Sequence, residues 1–120
     1  MHELAVCQAL IEQVERVARQ NDAERVVSIV VTIGPLSGVE PGLLERAYPL
    51  AAAGTMVEGA ALVIETVPVS VTCRSCGAVT QAEPNRIVCA DCGDWQVDVT
   101  AGEELVLRQV ELEAAPAAVH

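Results

Sequence analysis

One short pattern occurs twice in the chain: Cys73-Arg74-Ser75-Cys76-Gly77 and Cys89-Ala90-Asp91-Cys92-Gly93, with twelve residues between the pairs. Two residues between cysteines let a tight turn aim both sulfurs at one point while backbone amides face them. The glycine after each second cysteine supplies the left-handed backbone that closes the turn. Four sulfurs then make a closed tetrahedral site with no position left for water, which suits structural Zn²⁺ and not hydrolytic Zn²⁺. The same spacing would hold a single iron on four thiolates. Two disulfides are the competing reading. The chain opens Met1-His2-Glu3 with no basic segment and apolar run of a secretory signal, so metal thiolates in a reducing cytoplasm are expected instead.

A chain of 120 residues has room for one domain, or one domain carrying a small insert. It is 52% hydrophobic, but 18 Ala and 20 Val supply most of that, Phe is absent, and Tyr48 and Trp95 are the only aromatics. Such side chains build a thin core, and a bound zinc, with apparent folding energies of about 10 kcal/mol or more, compensates for it. Seventeen acidic residues stand against seven basic ones, all Arg, for a net charge of −10. That balance argues against binding a phosphate backbone, and two aromatics make no base-stacking platform. The longest uncharged run, Val26 to Val39, is 14 residues broken by Gly34-Pro35, too short to span a bilayer.

Apolar periodicity gives an αβαββ order. Leu4 to Gln20 reads as a helix, with Leu4, Cys7, Leu10, Ile11, Val14, Val17 and Ala18 on one stripe and Glu12–Arg16 and Glu15–Arg19 as i,i+4 pairs. Arg25 to Ile33 alternates as a strand, with Val27, Ile29, Val31 and Ile33 on one face. Gly34-Pro35-Leu36-Ser37-Gly38 is turn chemistry, and a second helix is expected from Pro41 to just before Gly54. Pro49 inside it should cost about 3 kcal/mol unless the helix kinks or stops there. Ala61–Val67 and Glu104–Leu112 complete a three-stranded sheet. Residues 71–98, with little apolar periodicity, form a zinc-ribbon insert before the last strand. The expected fold class is α+β: two helices packed on a three-stranded sheet, with a small four-cysteine ribbon. The expected parts are an α/β domain over 1–70 and 99–113, the ribbon over 71–98, and a flexible tail over 114–120.

Two further residues stand out. Cys7 lies on the apolar stripe and reads as a buried small hydrophobe. At the N-terminus, the His2 amide nitrogen has chelate partners on both sides: the Met1 amine, its own Nδ1 and the Glu3 amide nitrogen. Nitrogen coordination in a square plane favours Ni²⁺ or Cu²⁺ over Zn²⁺. The His2 amide has only two cis neighbours in that plane, so one local donor gives way to an outside ligand: water, Glu40 or a partner protein. A site incomplete in this way suits a carrier that must release its metal. A solvated His2 with no ligand role is the plain alternative.

Met1-His2-Glu3 opening a helix, together with two C-x2-C knuckles in an acidic chain of this length, resembles the HypA/HybF family of nickel metallochaperones in [NiFe]-hydrogenase maturation. The resemblance extends through Gly34-Pro35-Leu36-Ser37-Gly38-Val39-Glu40-Pro41 and through Gly54-Thr55 with Glu58-Gly59-Ala60. It implies that Met1, His2 and Glu3 bind Ni²⁺ for transfer, and that Cys73, Cys76, Cys89 and Cys92 bind a structural Zn²⁺. It further implies a cytoplasmic protein that is not an enzyme, works as a monomer or weak dimer, and acts with a GTPase of the Hyp system. The large-subunit precursor of [NiFe]-hydrogenase receives the metal, and some members serve urease maturation. Two departures appear: Tyr48-Pro49 interrupts the second helix, and Asp98 stands near the end of the ribbon where some relatives supply a His.

Two other classes compete. A zinc-ribbon interaction adaptor would carry Met1-His2 incidentally and show no nickel binding. An enzyme is poorly supported: the sequence offers no Ser/His/Asp set, no glycine-rich phosphate loop and no open metal position.

Overall fold

The computed structural model describes residues 2–114, with side chains from Glu3 onward. Met1, the His2 side chain and residues 115–120, on which parts of the nickel and tail expectations rest, lie outside the described residues. The elements run α1 (His2–Gln20), β1 (Ala23–Ile33), α2 (Pro41–Ala52), β2 (Ala61–Thr66), β3 (Val69–Cys73), β4 (Val79–Ala82), β5 (Val97–Ala101) and β6 (Leu105–Ala114). They make two three-stranded sheets, ordered β2-β1-β6 and β4-β3-β5. The chain divides into two compact units: Thr32–Val39 with Glu65–Val106 form one, which includes the cysteine-bearing stretch 71–98, and the remainder forms the other.

The first unit holds both helices. Cys7, Leu10, Ile11, Val14 and Ala18 of α1 are buried, as their 3.6-residue spacing requires, while Leu4 at the start of the stripe is exposed. Asn21 ends the helix by donating from its amide side chain to the Val17 carbonyl at 2.8 Å, and Asp22 takes a left-handed φ of 53° that turns the chain into β1. The Glu15 carboxylate, expected to pair with Arg19, accepts the Met56 N–H at 3.1 Å. In β1 the alternation slips: Ile29, Val31 and Ile33 are buried on one face, but further back it is Val26, not Val27, that is buried.

Helix α2 starts on Glu40, whose carboxylate caps it by accepting the Leu43 N–H at 2.7 Å, with Pro41 in the first turn. The helix neither stops nor breaks at Pro49 but continues to Ala52. Proline there withholds the N–H that the Glu45 carbonyl would accept. One residue earlier, Tyr48 is buried, and its hydroxyl is shared between the carbonyl oxygens of Ala60 at 3.2 Å and Val57 at 3.4 Å. This fastens α2 to the turn leading into β2.

The second unit departs most from expectation. The stretch read as lacking periodicity carries β4 and β5 on either side of β3, both antiparallel to it. Val71 pairs with Thr80 on one side and Val99 on the other, so β3 is the central strand. Val69, Val71 and Cys73 alternate inward and form the unit's core with Ile33 and Cys89. The Gly34-Pro35 turn folds against the turn before β6: Gly34 N–H donates to the Glu104 carbonyl and Leu36 N–H to the Gly102 carbonyl, each at 2.7 Å.

Candidate metal centre

Each C-x2-C-G segment folds by the same local bonds. In the first, Gly77 N–H donates to the Cys73 carbonyl at 3.0 Å and Cys73 N–H to the Ala78 carbonyl at 2.9 Å. In the second, Gly93 N–H donates to Cys89 and Cys89 N–H to Asp94, both at 2.9 Å. Gly77 and Gly93 have φ of 77° and 78°, the left-handed backbone that the spacing predicted. Amides of the turn point at the sulfurs: Ser75 and Cys76 N–H approach Cys73 Sγ at 3.3 and 3.4 Å.

The two knuckles face one another. Cys73 Sγ lies 3.6 Å from Cys92 Sγ and Cys76 Sγ 3.6 Å from Cys89 Sγ, and all four sulfurs fall within 4.8 Å of one another. A tetrahedron with Zn–S bonds of about 2.3 Å has edges of about 3.8 Å, so the donor set fits a four-thiolate ion. The separations are far from the roughly 2.05 Å of a disulfide. Cys73 and Cys89 are buried, whereas Cys76 and Cys92 are exposed, so the cluster sits at the surface of its unit.

The thiols divide into two acidic and two basic members. The Cys92 amide, ahead of the Asp91 amide, brings Cys89 down to about 7, and the Cys76 amide lowers Cys73. The Asp94 amide favours the Cys92 thiolate, but the other three sulfurs and burial outweigh it and push that thiol up to about 12. The Ala78 amide favours the Cys76 thiolate, but the Cys89 and Cys73 sulfurs, with desolvation, outweigh it and raise that thiol. Four negative sulfurs this close cannot all ionise without a cation between them.

Side chains 19 and 24 residues apart brace the knuckles. The Ser75 hydroxyl donates to the Asp94 carboxylate, and the Arg74 guanidinium holds Asp98 at 2.6 Å. Both carboxyls lie below their ordinary range, Asp94 chiefly through Ser75 and Asp98 chiefly through Arg74. These braces were not readable from the sequence, because nothing in the spacing pairs Ser75 with Asp94. Asp98 is therefore committed to Arg74.

At the other candidate site, Glu3 lies in the first turn of α1. Its own backbone amide, and further the Glu40 amide, hold its carboxyl below the ordinary range. Glu40, one candidate for the outside nickel ligand, has its carboxylate on the Leu43 N–H. Cys7 is 2% exposed; its thiol donates to the Leu44 carbonyl at 3.5 Å, and burial pushes it up.

Residues 1–112 match the family model described as "Hydrogenase/urease nickel incorporation, metallochaperone, hypA". The chain belongs to the HypA family. The hydrogenase maturation factor HypA of Nitrosospira multiformis is 50% identical over 112 residues, covering 93% of this chain and 97% of its own. The HypA of Aquifex aeolicus is 38% identical, with 94% and 98% covered. In structure, the chain resembles the Ni metallochaperone HypA from Helicobacter pylori, with a TM-score of 0.68 and 29% identity over 94% of this chain and 98% of that one. HypA proteins are maturation factors and not enzymes, and the α+β fold with a four-cysteine ribbon is the one expected. Among the described residues, no helix is long and apolar enough to cross a membrane.

Proposed function

We propose that this chain carries Ni²⁺ at its N-terminus, through His2 with Met1 and Glu3, and holds a structural Zn²⁺ on Cys73, Cys76, Cys89 and Cys92. The nickel is cargo: with a GTPase of the Hyp system, the chain delivers it to the large-subunit precursor of [NiFe]-hydrogenase. In this reading the ribbon, 71–98, is the zinc-binding part and 1–70 with 99–113 carries the nickel, in the cytoplasm.

The observation that carries the reading is the match to a nickel-incorporation family across residues 1–112, which takes in both candidate sites. Chemistry supports the division of metals. Four thiolates around a closed position retain zinc, whereas amide and imidazole nitrogens favour nickel and leave one place to an exchangeable donor.

The test is a Ni²⁺ titration of zinc-loaded protein with an uncapped Met1, beside His2→Ala and a version with extra residues before Met1. One Ni²⁺ per chain, lost in His2→Ala, is the expected result. Loss in the extended version assigns the free amine as a ligand. Retention moves the ligand set to the His2 and Glu3 amides plus an outside donor. Equal binding by all three proteins, or none by any, removes the nickel site and leaves a zinc-ribbon adaptor.

A further inference from the structure

An interior proline destabilises a helix, and breaks of a local rule such as Pro49 concentrate where a protein binds something. Beside Pro49, a cavity of about 470 Å³ opens between α2 and the chain leading into β2. Its floor is apolar: Tyr48, Ala52 and Ala60 are buried and Leu62 is half-buried. The Tyr48 hydroxyl is engaged by the Ala60 and Val57 carbonyls, so it offers the cavity no donor.

Exposed Glu45, Pro49 and Glu58 form the rim. No basic residue lines the cavity, and among the described residues neither carboxylate is ion-paired or hydrogen-bonded. Glu45 adds a backbone carbonyl whose helical donor is missing at Pro49. The lining side chains therefore present acceptors and no free donor, two of them charged, above an apolar floor. Such a place repels anions and attracts a cation. A bare metal ion is a poor match, because among the described residues the four cysteines are the one close group of three or more metal-binding side chains. An organic cation matches both parts: an aliphatic stem covers the floor while its charged end stays at the wet rim.

We infer that the cavity beside Pro49 binds a primary ammonium or guanidinium group carried on an aliphatic stem, the stem against Tyr48, Ala60 and Leu62 and the charge against Glu45 and Glu58. Free alkyl amines and the lysine or arginine side chains of a protein share that chemistry. None of these residues is a nickel or zinc ligand in the reading above, so the two stand or fall separately.

The test titrates full-length, zinc-loaded, nickel-free protein with n-butylammonium, n-butylguanidinium, butyrate and 1-butanol, following the backbone amide resonances. The two cations shift the amides of Glu58, Gly59, Ala60 and Leu62, and butyrate shifts none. 1-Butanol binds at least about threefold more weakly than n-butylammonium. Glu45 and Glu58 are exposed, so Glu45→Gln and Glu58→Gln keep the fold, and each lowers n-butylammonium affinity about threefold. Raised salt weakens binding too. Pro49→Ala lowers affinity although the protein then unfolds at a higher temperature. A lysine blocked at both backbone ends that binds as well as n-butylammonium assigns the site to a protein side chain. Binding of 1,5-diaminopentane without binding of the blocked lysine assigns it to a free amine. No shift with either cation, or equal affinities for 1-butanol and n-butylammonium, rejects the cation site, as does binding that both glutamine variants leave unchanged.

Discussion

Gly34 and Gly102 approach so closely that a Cβ on Gly34 would lie 2.1 Å from the Gly102 carbonyl oxygen and 2.8 Å from the Glu103 nitrogen. The obstacle is backbone, held by the bonds from Gly34 to Glu104 and from Leu36 to Gly102, so no side chain can swing aside. Gly34→Ala is expected to destabilise by at least about 3 kcal/mol. Gly38 provides the contrast. Its φ of 84° strains any other residue, but nothing lies within 4 Å, so Gly38→Ala should cost only about 1 kcal/mol. Urea titrations of the two variants check the order; a smaller loss at Gly34 than at Gly38 would contradict the close contact.

Pro49 lies in mid-helix and is exposed, and α2 continues past it to Ala52. Pro49→Ala returns an N–H to the Glu45 carbonyl and removes the ring, at the loss of some stiffness in the unfolded chain. A net gain of about 1–2 kcal/mol is expected in thermal or urea unfolding. A loss would mean that the ring packs against something essential.

Metal loading should be a proton-releasing reaction. Near pH 8, Cys89 at about 7 is largely ionised, whereas Cys92 at about 12 and the raised Cys76 retain their protons. Zinc binding then expels at least the protons of Cys76 and Cys92, and fewer in all than four unperturbed thiols would release, since Cys89 and Cys73 are lowered. Calorimetry in buffers of different ionisation enthalpy measures the number. Cys92→Ser should lose zinc to a chelator far more readily than the wild-type.

The Asp98 and Asp94 carboxyls are held below their ordinary value of 3.8, chiefly by Arg74 and by Ser75 respectively. Groups lowered on folding contribute stability that is present above the unfolded value and lost as pH falls through the folded one. Arg74 and Asp98 are both largely exposed, so the contribution is small and screened by salt. Asp98→Asn should therefore lower stability slightly at pH 7 and make no difference once the pH is below the folded value. A difference that grows towards acid would reverse the sign of the argument.

Much of this was legible in the sequence because it rests on local rules. The 3.6-residue stripe from Cys7 to Ala18, Pro41 as a helix start and Gly77 and Gly93 as turn closers each follow from backbone or side-chain geometry within a few residues. The sulfur cluster was legible because its spacing repeats. The second sheet was not, since β3 to β5 are four or five residues long and only β3 alternates clearly between buried and half-buried positions. Pairings such as Ser75 with Asp94, Tyr48 with Ala60, and Glu15 with Met56 depend on how distant segments fold back, which periodicity does not encode. Helix α2 surviving Pro49 is of the same kind: packing of Leu44, Tyr48 and Ala52 outweighs local propensity.

Tyr48 has a consequence beyond fastening α2. It is buried in one compact unit, and Trp95 belongs to the other, so each unit contains a single aromatic chromophore of its own. Tyrosine absorbance and tryptophan emission therefore report different halves of the molecule without any added label. A denaturation followed at both wavelengths reads directly whether the two units melt as one cooperative body or in succession.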